Sequence, residues 1–151
     1  MFLSIHMGRR DGQQSISKPL YLLAILEAVN NTELLFNKIE FPNEFIHKRF
    51  GMLYEQVYNN RKGYEAAFFI RPFFHLASSN FYQLVWKDGI IPPSMSSTPS
   101  AKYLREHLRY AKLDEELWEL VQDAGNREYF RRNIIARYLP NNNIVYHGEQ
   151  V

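Results

Sequence analysis

The sequence predicts an α+β fold, a mainly helical single domain with one short β-hairpin. Three observations lead to this prediction. The chain has 151 residues, 46% hydrophobic and 23% charged, which is the composition of one globular domain with a sizeable core. Apolar residues recur at helical spacing in several separate segments. Only two regions have the short apolar runs that are typical of strands.

The first predicted helix covers residues 18–29 and should lie in the core. Its sequence, KPLYLLAILEAV, places apolar side chains around most of the helix circumference, which is typical of a buried helix. Ser17 is the expected N-cap, and Pro19 is tolerated because a first-turn N–H has no partner within the helix. Asn30 is the expected end of this helix.

A short strand and a second helix should follow. KIEF, residues 38–41, alternates between polar and apolar side chains as a strand does. Pro42 or Asn43 then opens a helix in which apolar side chains recur at helical spacing as far as Val57.

The aromatic stretch FFIRPFFHLASSNFYQLVW predicts the hairpin. Its strands would cover about 67–76 and 81–87. Pro72 would put the first strand at an edge or a bulge, because proline cannot donate to a β-ladder. Strict alternation would place three side chains on one strand face: Arg71, Phe73 and His75. The order of helix, strand, helix and hairpin makes the first half winged-helix-like.

The second half predicts a loop and three helices. The proline-rich loop covers 88–100, and Thr98 with Pro99 would cap a helix that runs to about Tyr110. Asp114 would cap a short second helix, and Asn126 would cap the last one.

The domain is expected to cover residues 1–140, where Pro140 stops the last helix, and residues 141–151 would form a tail or a linker. The apolar start MFLSIHM is too short for a secretory signal or a membrane span. The absence of cysteine excludes a disulfide scaffold and suits a reducing compartment. We therefore expect a cytoplasmic protein with no membrane partner.

The net charge of +2 hides a segregated distribution of charge. Four cations are spaced to form one stripe along one helix: Lys102, Arg105, Arg109 and Lys112. The next helix is acidic, and the last one is basic again through Arg127, Arg131, Arg132 and Arg137. Such stripes occur on surfaces that track nucleic-acid phosphates, and also on solvated surfaces with internal salt bridges.

The start of the first helix has a second feature that favours anions. The helix dipole and the first-turn N–H groups attract negative charge there. Lys18 lies in that turn, and Arg9 and Arg10 lie upstream.

Motifs for catalysis are missing from the sequence. It has no cysteine nucleophile, no phosphate-binding glycine loop and no Gly-x-Ser-x-Gly, and its five histidines lack metal-ligand spacing. Glu40, Glu44 and Glu55 could gather around a cation as in a metal-dependent nuclease, although most proteins offer such a choice of acids. We therefore predict no catalytic residue, metal or cofactor in this chain.

Arg71 and His75 are unexpected inside so apolar a stretch. A buried guanidinium without an anion is costly, so Arg71 needs either a protein carboxylate or a ligand. A single histidine in an apolar strand is more often a core or rim residue than a ligand-binding one. The residues alone leave both alternatives open.

Three stretches taken together resemble the N-terminal domain of many HNH-type restriction endonucleases. GRRDGQQSISKPLYLLAILEAV is similar to its basic-Pro-Leu-Leu-Leu first helix. RPFFHLASSNFYQLVW is similar to its Tyr-Pro-Phe-Trp-x-Leu hairpin. SAKYLREHLRYAKLDEELWELVQDAGNREYFRRNIIARYLP is similar to its closing helices, and the match covers most of residues 8–140.

In this family the domain is a sulfur-binding domain, which recognises phosphorothioate DNA and directs an attached nuclease. The resemblance implies a DNA-binding specificity domain of a modification-dependent restriction system, with double-stranded DNA and an HNH nuclease module in the same or another chain as partners. The implied pocket consists of Ser17, Lys18, Arg71, Pro72 and His75. Flanking phosphates would be contacted by Arg9, Arg10, Lys102, Arg105, Arg109 and Arg131.

The sequence departs from the family pattern at two pocket positions. Arg71 stands where the family has an aromatic residue, and His75 where it has a small one. A pocket for a soft, poorly hydrated sulfur should be apolar with a cation nearby, whereas this one is more polar and more cationic. Two alternatives stay open: a protein-interaction module whose aromatic segment meets a partner, and a metal-dependent nuclease in its own right.

Overall fold

Helices and two small sheets form an α+β fold in the part of the chain that the computed structural model describes, residues 9–10, 13–14, 16–58 and 67–139. The elements in chain order are β1 Arg9–Arg10, β2 Gln13–Gln14, α1 Ser17–Asn30, α2 Glu44–Tyr58, α3 Ala67–His75, β3 Tyr82–Trp86, α4 Ala101–His107, β4 Leu108–Leu113, α5 Glu115–Leu120 and α6 Ala124–Tyr138. β1 pairs with β2 and β3 pairs with β4, both antiparallel. The predicted fold class, α+β in a single domain, is confirmed.

Helix α1 is the centre of the core because apolar side chains cover it on nearly all sides. Every residue from Pro19 to Val29 is buried, and the helix packs against α2, α3 and α6. Replacing one of its buried leucines with alanine would cost about 2–5 kcal/mol of stability. The helix ends at Asn30 as predicted. Its N-cap is Ile16, so Ser17 is the first helical residue and the prediction that it caps the helix is wrong.

Helix α2 packs one apolar face onto α1. Asn43, one of the two predicted starting points, caps the helix, because its Oδ1 accepts a hydrogen bond from the N–H of Ile46 at 3.0 Å. Arg49 and Glu27 form a buried ion pair between α2 and α1, with Nε and Oε1 2.6 Å apart. The strand predicted at 38–41 is reduced to a single bridge between Ile39 and Ala111.

The strand predicted over 67–76 is wrong, since this segment is helix α3 followed by a 3₁₀ turn at Leu76–Ser78. The aromatic run is apolar at nearly every position, so it fits a period of two as well as a helical period. Contact with α1 selects the helix. Phe69, Pro72 and Phe73 are buried, so Phe73 does not share a face with Arg71.

Strand β3 therefore pairs with a different segment from the one predicted. β3 confirms the second predicted strand, but it pairs with β4, whose residues were expected to end a helix. Val85 faces Tyr110 and Trp86 faces Leu108, so Arg109 is the extra residue of a β-bulge. The winged-helix-like hairpin predicted within residues 67–87 does not form.

The helices of the second half begin at other caps than those predicted. Ser100, not Thr98, caps α4, and its Oγ accepts from the N–H of Tyr103 at 3.1 Å. Asp123, not Asn126, caps α6. Asp114 is the N-cap of α5, as predicted, but forms no side-chain capping bond.

Helix α6 packs on α1 through Phe130 and Ile134 and ends at Tyr138. Pro140 and the predicted tail, residues 141–151, lie outside the described residues.

Candidate anion-binding site

The start of α1 and the end of α3 meet at the surface through a short chain of hydrogen bonds. Lys18 Nζ donates to Ser78 Oγ at 3.1 Å. Ser78 Oγ in turn donates to the backbone carbonyl of His75 at 2.9 Å. Two segments about sixty residues apart in sequence therefore share one serine hydroxyl.

Arg71 lies one helical turn before His75 on α3, so both side chains leave the same face of the helix. Its side chain is exposed, so Arg71 is not the buried guanidinium considered from the sequence and does not require an anion, whereas the side chain of His75 is half-buried. Within the described ranges, neither side chain forms an ion pair with an aspartate or a glutamate. The helical spacing replaces the strand face that the sequence predicted.

The electrostatics of the site reflect a concentration of positive charge. Burial lowers the pKa of His75, and the charges of Lys18 and Arg71 lower it further. Burial also lowers the pKa of Lys18. The charges of Lys18 and Arg71 therefore both act on His75, and we call these three residues the cationic cluster. An anion placed among them would relieve this repulsion.

Loop 87–100 closes one side of the cationic cluster. His75 Nε2 and Thr98 Oγ1 are 2.8 Å apart and share a hydrogen bond. The imidazole also meets the ring of Phe74 in a T-shaped arrangement, with ring centroids 4.9 Å apart. The imidazole is therefore held at a fixed place between α3 and the loop.

The five predicted pocket residues are placed as follows. Lys18, Arg71 and His75 come together in the cationic cluster. Ser17 is half-buried at the start of α1, next to Lys18, and Pro72 is buried within α3. The predicted set omitted two polar groups, Ser78 and Thr98. Both lie in serine-rich turns, SSN and STPS, whose hydroxyls were the available signal.

A groove begins one residue after Thr98, which bonds to His75. It has a volume of about 280 Å³ and is lined by Pro93, Pro99, Ser100 and Tyr103. The ring of Tyr103 lies 6.2 Å from that of Trp86 and 4.4 Å from that of His107, centroid to centroid.

The basic stripe predicted over 102–112 is not one surface of one helix, because α4 ends at His107. Lys102 lies 3.8 Å from Glu106, and Arg109 lies 3.1 Å from Asp88. Lys112 is in β4, opposite Gln83. Arg105 is exposed on α4 and has no ion pair among the described residues.

The other predicted phosphate contacts differ in what surrounds them. Arg131 and Arg132 both bond to Glu128, at 2.5 and 2.9 Å. The pKa of Glu128 is lowered to about 2. The hydrogen bond from Arg131 is the largest cause, and the hydrogen bond from Arg132 and the charges of both arginines lower this pKa further. The backbones of Arg9 and Arg10 form β1, and their side chains lie outside the described residues.

The acidic residues considered for a metal site are spread over the surface. Glu44 and Glu55 line a cavity of about 460 Å³ on α2 together with His47. Glu40 is exposed in the segment before that helix. Over residues 16–58 and 67–139, no three histidine or acidic side chains are arranged to hold a metal ion.

Comparisons with known proteins assign no family to the chain. A scan against protein-family models found no match, and a search of curated proteins found none with significant similarity. In the described part of the chain, the helices are too short or too polar to cross a bilayer.

Proposed function

We propose that this chain is a DNA-binding specificity module of a modification-dependent restriction system, which recognises phosphorothioate-modified DNA. One observation carries the proposal: Lys18 of α1 donates to Ser78, just after α3, and the charges of Lys18 and Arg71 both act on His75 of α3. The sequence resemblance to sulfur-binding domains had assigned these three residues to the recognition pocket.

The cationic cluster suits an anion with one exposed and one shielded side. Arg71 is exposed and offers a planar fork of N–H donors, which matches two phosphate oxygens. Lys18 is half-buried, and Ser78 fixes its ammonium.

Flanking phosphates would be contacted mainly by Arg105. Its guanidinium is exposed and has no acidic partner in the described residues, whereas Lys102, Arg109 and Arg131 have one each. Such contacts position a protein on a duplex without reading its sequence.

The module would act on double-stranded DNA in the cytoplasm and leave cleavage to an HNH nuclease module in the same or another chain. Its own residues would supply binding, and no step of hydrolysis is assigned to them.

The test is a binding experiment with matched duplexes, with and without one backbone sulfur, followed by fluorescence anisotropy. We expect Lys18→Ala and Arg71→Ala to weaken binding of the modified duplex by about tenfold or more, because charge-assisted hydrogen bonds are worth about 1.5–3 kcal/mol. Arg105→Ala should weaken binding of both duplexes by a smaller and equal factor. Arg132→Ala, which removes an exposed arginine of α6, is the matched control.

Two results would refute the proposal. Equal losses for every arginine variant would indicate general electrostatic attraction and no pocket. A dissociation constant above about 10⁻⁴ M for both duplexes at moderate salt would be no tighter than non-specific binding.

One observation favours a second candidate, a protein-interaction module. Leu35 and Phe36 are adjacent in the loop after α1 and are 67% and 73% exposed. Neighbouring exposed apolar side chains of this size are typical of protein contacts. Weak binding of every duplex would favour this candidate.

A further inference from the structure

The groove beside the cationic cluster has the size and the surface for one uncharged ring. Its volume of about 280 Å³ lies just below the range of pockets for drug-sized ligands. Two proline rings and the ring of Tyr103 form its walls, and Ser100 adds one hydroxyl. That hydroxyl oxygen already accepts the N–H of Tyr103.

The groove begins close to His75 of the cationic cluster. Thr98, which shares a hydrogen bond with His75, is followed directly by Pro99 in the groove wall. Successive Cα atoms are about 3.8 Å apart, so the wall starts one residue after the threonine that bonds to His75. This separation is comparable to that between a phosphate and the sugar bonded to it.

We propose that the groove receives the deoxyribose next to the phosphate held by the cationic cluster, and that it thereby discriminates DNA from RNA. The proposal rests on the function proposed above. The C2′ methylene of deoxyribose is apolar and packs against proline and tyrosine rings. A ribose places a hydroxyl at that carbon, which would face the two proline rings, and these rings offer it no hydrogen bond.

The expected discrimination is moderate. The groove is open, and apolar surfaces reject an added hydroxyl by at most about a hundredfold. We therefore expect a single ribonucleotide at this position to weaken binding by about fivefold to tenfold.

The test varies one sugar of the modified duplex and measures the affinity of the wild-type chain. A ribonucleotide is placed directly on either side of the backbone sulfur in turn, and in a control duplex it is placed several nucleotides away. A fourth duplex carries 2′-fluoro at the adjacent sugar, which favours the ribose pucker but brings no hydroxyl. We expect the loss for one of the two adjacent ribonucleotides only, and affinities within about twofold of the DNA duplex for the other three duplexes.

A protein variant links the effect to the groove. Tyr103→Ala removes one wall and should abolish the difference between the ribonucleotide and DNA duplexes. Tyr129→Ala, which truncates an exposed tyrosine of α6, should keep that difference.

The outcomes separate the two proposals. If the DNA duplex is bound tightly and the adjacent ribonucleotide has no effect, the groove proposal is refuted and the proposed function stands. An equal loss with 2′-fluoro would also refute the groove proposal, because sugar pucker would explain it. If the wild type binds none of the duplexes, the proposed function fails and the groove proposal fails with it.

Discussion

The hydroxyl of Tyr82 should determine how α3 is held, and its removal provides a quantitative test of the fold. Tyr82 Oη donates to the carbonyl of Phe73 at 2.6 Å, and Tyr21 Oη lies 2.9 Å from Tyr82 Oη. Since the proton of Tyr82 is used on Phe73, Tyr21 is the donor between the two phenols. Both tyrosines are at most 1% exposed, and burial raises the pKa of both hydroxyls, which therefore keep their protons.

Tyr82→Phe removes the central hydroxyl of this chain. It leaves the Tyr21 hydroxyl without its acceptor and the Phe73 carbonyl without this donor, both in the core. A buried polar group that loses its partner costs about 1–3 kcal/mol, so the variant should lose about 2–4 kcal/mol. Tyr21→Phe is the matched control. It leaves the Tyr82–Phe73 bond intact and should lose only about 0.5–1.5 kcal/mol.

Urea unfolding followed by tryptophan fluorescence measures both variants. For a domain of this size, 1 kcal/mol corresponds to about 2–4 °C, so thermal unfolding should separate them as well. Because Phe73 lies between Arg71 and His75, Tyr82→Phe should also weaken binding of the modified duplex. An equal or larger loss of stability in Tyr21→Phe would refute the assigned direction of these hydrogen bonds.

Two further predictions concern buried charge and pH. Glu27→Gln should lower the free energy of unfolding in urea by about 3–5 kcal/mol, because Arg49 would remain buried without the carboxylate of Glu27. The double variant Glu27→Leu with Arg49→Met should regain most of that loss, and equal losses in both variants would contradict the role of the pair. The pKa of His75 is lowered from 6.5 by burial and then by Lys18 and Arg71, so the unfolded chain binds more protons in weakly acidic solution than the folded chain. Stability should therefore fall from about pH 7.5 to about pH 5.5, and fall less in His75→Gln, whereas an identical pH dependence would contradict this reasoning.

The sequence singled out the residues of the candidate site but predicted the wrong element for two of them. Arg71 and His75 stood out because polar side chains are unusual in so apolar a stretch, and Lys18 because it lies in the first turn of a helix, where anions are favoured. Residues four positions apart lie on one face in a strand and also in a helix, and Arg71 and His75 have this spacing. Ser78 and Thr98 were missed because hydroxyls in turns are common, and only their partners distinguish these two.

The basic stripe shows the opposite case. Lys102, Arg105 and Arg109 have helical spacing, but the chain becomes extended at Leu108, where β4 pairs with β3. A segment of mixed propensity takes the conformation that its tertiary contacts favour. Here the contact is with β3, a strand that lies about twenty residues earlier in the chain.

The sequence by itself determined the buried helix α1, the amphipathic helix α2, the α+β class and the cations that stand out from their surroundings. These features depend on composition and on periodicity within one segment, which local side-chain chemistry specifies. The tertiary structure decided that 67–75 is a helix, which strand pairs with β3, and which charges are already neutralised by acids. Each of these depends on a partner distant in sequence, because contact with α1, pairing in a sheet and proximity of charges arise only when the chain has folded.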